Sequence, residues 1–165
     1  MKIRKLEPDN YSKVSALLRQ TFPDSNYEEQ LIENLHKNKK PLHEWICIQN
    51  GRTVAYIAFS NAYFRAQICG LHLTPLAVHP KDQHLGIGSE LLRFALRQNA
   101  IKDSTIFVLG NPDYYMKFGF KPCAMPICPF DENNAHFLTL RNNTTNQYTV
   151  GYEPEFKIGK EQSIS

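Results

Sequence analysis

The hydrophobic positions of the first forty residues change from alternating to helical spacing. Ile3, Lys5 and Glu7 alternate with Arg4 and Leu6, which predicts a short strand. Pro8 and Asp9 then favour the start of a helix, and a second helix is expected after Pro23, with Asp24 or Ser25 as its cap. The predicted apolar faces are Val14, Leu17 and Leu18 in the first helix and Leu31, Ile32 and Leu35 in the second.

From Glu44 onward the period becomes two, which indicates strands. Asn50-Gly51 lies between two alternating apolar runs and predicts a hairpin turn. The pattern continues with a strand over 69–78, a helix with Ile87, Leu91, Leu92 and Ala95 on one face, a strand over 105–109, a brief helix over 113–117, and two weaker strands over 137–140 and 148–152. This order, without a linker or repeat, predicts one mixed α/β domain over 1–156 and a tail over 157–165.

Composition limits the function classes without naming one. The chain has 165 residues, of which 42% are hydrophobic and 21% charged, and its formal charge is +3. These values fit a folded domain with its own core and do not favour nucleic-acid binding. We find no signal peptide and no run of about 18 apolar residues, so we expect a cytoplasmic protein with no membrane partner. The four cysteines lack the spacing of a metal site, and no metal is expected.

Two glycines cluster where the 69–78 strand gives way to the following helix, in the run Gln83-His84-Leu85-Gly86-Ile87-Gly88-Ser89. Glycines there allow close backbone approach, and the amides of a helix N-terminus favour a phosphate. The run lacks the G-K-[ST] ending of a nucleotide-triphosphate loop and the third glycine of a dinucleotide fingerprint. A tight turn that serves only packing is the alternative interpretation.

The segment Leu76-Ala77-Val78-His79-Pro80, followed by Gln83-x-x-Gly86-x-Gly88, resembles the coenzyme A signature of the GCN5-related N-acetyltransferase (GNAT) family. The run Tyr114-Tyr115-Met116-Lys117-Phe118-Gly119-Phe120 resembles the second motif of that family. The resemblance implies a GNAT-like α/β fold with a mixed central sheet of about six to seven strands, flanking helices, and two splayed strands at the cleft. It also implies acetyl-CoA as the co-substrate. Pro75 fits this interpretation, because a proline inside a strand favours a bulge.

The resemblance assigns roles to individual residues. Tyr115 is expected to be the general acid, and a backbone N–H near Val78 to polarise the acetyl carbonyl. No carboxylate lies on the 71–75 stretch, so His72 is the candidate base, with Glu44 and His79 as weaker candidates. His72 facing solvent, Gln83 holding the turn, and His84 lying free in solvent remain alternatives. The expected cofactor-binding residues are Leu76, Ala77, Val78, Gln83, His84, Leu85, Gly86, Ile87, Gly88, Ser89 and Asn111.

The function that follows from the resemblance is acetyl transfer to a primary amine of a small molecule or peptide. A non-catalytic module that binds or senses acyl-CoA is the alternative. The acceptor is expected between the first two helices and the last strands, around Phe22 to Tyr27 and Tyr148. Acidic residues there, including Glu28 and Glu29, either attract a cationic amine or complement the helix dipole. A homodimer is possible on this interpretation.

Overall fold

The computed structural model describes residues 1–157, and most of the tail predicted over 157–165 lies outside the described residues. One open seven-stranded sheet has the order β1-β2-β3-β4-β5-β7-β6. The strands are β1 (Lys2–Lys5), β2 (Leu42–Gln49), β3 (Arg52–Phe64), β4 (Gln67–Val78), β5 (Ile106–Leu109), β6 (Lys121–Pro122) and β7 (Phe137–Leu140). The helices are α1 (Tyr11–Thr21), α2 (Tyr27–Lys37), α3 (Ile87–Leu96) and α4 (Pro112–Tyr115). The predicted mixed α/β fold is confirmed.

Strand pairing confirms the predicted hairpin between β2 and β3. β1 to β4 pair in antiparallel fashion, with Asn50 and Gly51 at positive φ of 53° and 76° in the β2–β3 turn. β4 and β5 are the one parallel pair among the described strands. The strand predicted over 148–152 is wrong, because Thr149 and Gly151 form isolated bridges to two different partners, Ile127 and Tyr63. A segment that changes partners within two residues cannot extend a ladder.

Helices cover both faces of the sheet. The predicted apolar faces of α1 and α2 are buried against Ile46, Tyr56 and Ala58, whereas α3 packs on the opposite face against Cys47, Ala55 and Ile57. This alternation along β2 and β3 is the period of two in a sheet that is buried on both sides. None of the helices within residues 1–157 is long and apolar enough to cross a membrane.

A bulge in β4 opens the sheet. Leu73 pairs with Phe59 and Leu76 pairs with Ile57, so Thr74 and Pro75 together lie opposite one residue of β3. The extra residue shifts the alternation, and Leu76 packs on the same face as Leu73. Pairing of β4 with β5 ends at Leu73, whereas β4 continues along β3 to its last residue. The bulge predicted at Pro75 is therefore present, and β4 and β5 part beyond it.

Candidate active site

Two cavities adjoin where β4 and β5 part. The larger has a volume of about 690 Å³ and lies beside the loop that precedes α3. The smaller has a volume of about 300 Å³ and lies between the α1–α2 connection, β4, β5 and the C-terminal segment. Phe22, Leu76 and Tyr115 line both cavities. A molecule extending from one cavity to the other would therefore pass Tyr115.

The glycine loop forms one end of the larger cavity. Gly86 is the N-cap of α3, and its φ of 84° is a conformation that glycine adopts without strain. The first α-helical bond runs from the Glu90 N–H to the Gly86 carbonyl, which leaves the N–H groups of residues 87–89 free of helical partners. A Cβ at Gly88 would lie 3.1 Å from Val78 Cγ2. A ligand can therefore come close to the backbone of this loop, and the free N–H groups there suit an anion such as a diphosphate.

The free edge of β4 forms another side of this cavity. The His79 N–H donates to the Val54 carbonyl, and Ala77 lies opposite Tyr56 in the same register. Because alternate residues of a strand direct their backbone groups to opposite edges, the N–H groups of Leu76 and Val78 face away from β3, toward the cleft. A peptide-like chain in the cleft could pair with them as an added strand does.

Side chains complete the turn that leads from β4 to the loop. Gln83 Nε2 donates to the Val78 carbonyl over 3.0 Å, and Thr21 Oγ1 donates to the same oxygen over 3.3 Å. Gln83 thus holds the turn, one of the two roles considered for it, while also lining the cavity. Asn111 Oδ1 accepts from the Asp113 N–H and caps α4.

Most of the residues expected to bind the cofactor come together here. Those lining the larger cavity are Leu76, Val78, Gln83, His84, Gly86, Ile87, Gly88, Ser89 and Asn111. Ala77 is buried on the α1–α2 face, and the Leu85 side chain is 70% exposed and does not line the cavity. A role for either residue would therefore have to use backbone groups.

Three side chains that line the larger cavity were not expected from the sequence. Thr21 is the last residue of α1, Asp82 precedes the glycine loop, and Lys117 follows α4. Tyr114 also lines this cavity, and its hydroxyl lies 3.3 Å from Ser89 Oγ. Of these residues, only Lys117 could have been predicted from the sequence, because a cation close to a phosphate-binding loop adds charge complementarity.

Tyr115 lies at the junction of the two cavities. Its side chain is buried, and burial raises the pKa of its hydroxyl above the ordinary value of about 10. A Cβ at Gly110 would lie 2.7 Å from Tyr115 Cε2, so this glycine leaves room for the ring. Tyr115 therefore stays protonated at neutral pH, as a general acid requires.

His72 lines the smaller cavity and is almost fully buried, with 1% of its surface exposed. Its Nε2 lies 3.0 Å from the Gly151 carbonyl, which requires a proton on Nε2, and its ring stacks on Tyr152 at 3.6 Å. Nδ1 is buried and has no hydrogen-bond partner. Burial lowers the pKa of His72 to about 3, far from the free value that suggested a base. The solvent-facing alternative for His72 is wrong.

The weaker base candidates lie outside both cavities. Glu44 accepts hydrogen bonds from Tyr56 and His36 on the α1–α2 side, and the His79 Nδ1 accepts from the Lys81 N–H. Within residues 1–157, no three His, Cys, Asp or Glu side chains come together in a way that could hold a metal ion. The smaller cavity includes Phe22, Tyr27 and Glu28, as expected for the acceptor side, and Tyr152 rather than Tyr148.

Comparisons with known proteins agree with this architecture. Two relatives in Escherichia coli K12 are named as uncharacterised N-acetyltransferases. YjhQ is 33% identical over 103 residues, which are 59% of this chain and 57% of YjhQ, and YhbS is 28% identical over 127 residues, 75% of each chain. The chain thus spans little more than half the length of YjhQ.

Solved structures show the same fold. YhbS from E. coli, in complex with CoA, matches with a TM-score of 0.85 and 23% identity over 94% of this chain and 91% of that chain. A GNAT family acetyltransferase from Brucella melitensis, in complex with acetyl-CoA, matches with a TM-score of 0.77 and 26% identity over 94% and 97%. The sequence profile of the acetyltransferase (GNAT) domain matches residues 40–122, half of the chain. The chain therefore belongs to the GNAT family.

Proposed function

We propose that this protein is an acetyl-CoA-dependent N-acetyltransferase that acts on a primary amine. The observation that carries the proposal is the position of Tyr115, a buried acid at the junction of an amide-lined cavity and a smaller one. The ligands of the two related structures, CoA and acetyl-CoA, support it. A cytoplasmic location and a homodimer stay predictions.

The larger cavity has the features that bind a diphosphate and an extended arm. The N–H groups of residues 87–89 would hold the diphosphate, with the Ser89 hydroxyl and Lys117 beside it. The Leu76 and Val78 N–H groups face the cleft and would donate hydrogen bonds to the amide carbonyls of the extended pantetheine arm of acetyl-CoA. Once bound, the co-substrate supplies an acetyl thioester, whose carbonyl carbon accepts a nucleophile.

Leu76 is the better placed donor for the carbonyl oxygen. Val78 lines only the larger cavity, whereas Leu76 lines both and directly follows the bulge. Its N–H would stabilise the negative charge that develops on that oxygen when the amine attacks. This assignment moves the donor two residues from the position near Val78 expected from the sequence.

Tyr115 and His72 would manage the protons. The amine nitrogen forms the new bond to the carbonyl carbon, the carbon–sulfur bond breaks, and Tyr115 gives its proton to the departing thiolate. His72 is neutral, so its Nδ1 can accept a hydrogen bond from the attacking amine and orient it. With a pKa of about 3 it binds protons weakly, and the proton lost by the amine passes to water.

The test measures CoA release with a panel of primary amines for wild type and Tyr115→Phe. We expect wild-type turnover, and a fall in kcat of about a hundredfold or more for Tyr115→Phe with acetyl-CoA affinity retained. Tyr148→Phe is the matched control, because the Tyr148 hydroxyl donates a hydrogen bond to Cys69 Sγ and the residue lines neither cavity.

Two results would contradict the proposal. Tight CoA binding without turnover of any amine indicates the binding module instead. No thermal shift with CoA indicates that the glycine loop serves packing alone.

A further inference from the structure

The smaller cavity contains one buried carboxylate oxygen that lacks a partner. Glu28 lines this cavity from the first turn of α2, and its Oε2 is buried without a hydrogen-bond partner. A buried acceptor without a partner is costly, and native structures normally supply a donor. Glu29, the next residue, is different, because its Oε2 lies 2.6 Å from Arg19 Nε and it does not line the cavity.

Charge in the smaller cavity has one sign. Among the described residues that line it, Glu28 is the only one with a charged side chain, since His72 is neutral and no lysine or arginine contributes. An acceptor carrying a carboxylate would find no cation to pair with and would be repelled by Glu28. An ammonium group would find the opposite charge and donate a hydrogen bond to Glu28 Oε2. Before it attacks the thioester, this group loses a proton to water and becomes the neutral amine.

The walls of the cavity are aromatic. Rings of Phe22, Tyr27, Phe130, Tyr152 and Phe156 line it, together with residues 72–76 of β4 and 107–109 of β5. Aromatic faces attract cations and bury apolar surface, so they suit an amine with an apolar or aromatic body. A volume of about 300 Å³ is at the lower end for ligand cavities, which suits a small molecule.

We propose that Glu28 selects the acceptor, and that the acceptor is a compact primary amine with an apolar or aromatic body and no carboxylate. This inference rests on the proposed acetyl transfer and narrows its substrate class from primary amines in general. Its closest competitors are free amino acids, which carry the same side chains with a carboxylate beside the amine.

The experiment compares phenethylamine with L-phenylalanine, which differ by that carboxylate. Turnover is measured by CoA release, and binding by calorimetry of each compound with the CoA-bound protein. For wild type we expect phenethylamine to exceed L-phenylalanine at least tenfold in kcat/KM and in affinity. Glu28→Gln should lower the values for phenethylamine about tenfold to a hundredfold and remove most of the discrimination.

Glu29→Gln is the matched control, because it removes the same charge one residue further along the same helical turn. If Glu28 only complements the helix dipole, neither variant will change the selectivity, which overturns the inference. Equal use of L-phenylalanine and phenethylamine by wild type also overturns it, while acetyl transfer stands. Acetyl-CoA binding without phenethylamine binding overturns it as well, and loss of acetyl-CoA binding itself would refute the proposed function instead.

Discussion

The burial of His72 makes the stability of the protein depend on pH in a defined direction. In the folded protein its pKa is lowered to about 3, chiefly by burial, from 6.5 in an exposed imidazole. Between these values the unfolded chain binds a proton that the folded chain does not. The contribution to stability is therefore present above pH 6.5 and is lost as the pH falls toward 3.

The magnitude between pH 7 and pH 5 depends little on the folded pKa, provided that this stays below about 4. At pH 5 an unfolded imidazole is almost fully protonated and at pH 7 mostly neutral, so the linkage is worth roughly 2 kcal/mol. For a domain of this size that corresponds to a fall in Tm of roughly 4 to 8 °C. The rings packed around His72 are those of Tyr152, Phe107 and Phe156. They carry no charge between pH 5 and pH 7, so they do not contribute to the pH dependence of stability.

The assay is urea unfolding of wild type and His72→Gln at pH 7, 6 and 5. Glutamine keeps an N–H that can donate to the Gly151 carbonyl, and it does not titrate. The pairs His36–Glu44 and His79–Asp82 are the same in both proteins, so their contributions cancel in the difference. Wild type should lose about 2 kcal/mol more than the variant between pH 7 and pH 5. Parallel pH profiles would mean that His72 is solvated, and would refute its placement.

Two further predictions concern glycines of the larger cavity. Gly88→Ala should weaken CoA binding about tenfold, because the added methyl group would lie 3.1 Å from Val78 Cγ2, inside the glycine loop. Gly86→Ala meets no neighbouring atom, but its positive φ should lower the free energy of unfolding by about 1 kcal/mol. Calorimetry with CoA measures the first effect and urea unfolding the second. Equal losses of CoA affinity in the two variants would contradict this prediction. Gly110→Ala should displace the Tyr115 ring and lower kcat about tenfold or more with CoA affinity retained, in the CoA-release assay. A normal kcat would show that the ring position is not critical.

The larger cavity was predictable because its chemistry is local. The glycine loop, the strand before it and the helix after it follow each other within about twenty residues, so spacing alone places Gly86 and Gly88 at the helix N-terminus. The bulge at Pro75 was predictable for the same reason, since a proline carries its own backbone constraint. The two family motifs can be identified in the sequence because each depends on residues that lie close together in the chain.

The smaller cavity was not predictable to the same degree, because distant segments build it. Glu28, His72 and Tyr152 are far apart in the chain and meet only through the sheet and the packing of α2. Alternation of His72 with Leu71 and Leu73 left open whether its face was solvent or interior, because the segment around Tyr152 that covers it forms no strand of the sheet, and its position does not follow from spacing. The unpartnered oxygen of Glu28 is likewise a property of packing rather than of spacing.

The β4 bulge links the two halves of the site. Before Thr74, the strand directs Leu71 and Leu73 to the α3 face and His72 to the opposite face, beside Tyr152. After Pro75 the alternation is shifted, so the Leu76 N–H faces the cleft while its side chain packs toward α3. If the same residues paired with β3 one to one, without a bulge, Leu76 would take the parity of His72, and its N–H would point back to β3. The same two residues therefore end the pairing with β5, open the cleft and orient the Leu76 N–H toward it, which explains why the two cavities meet at Leu76.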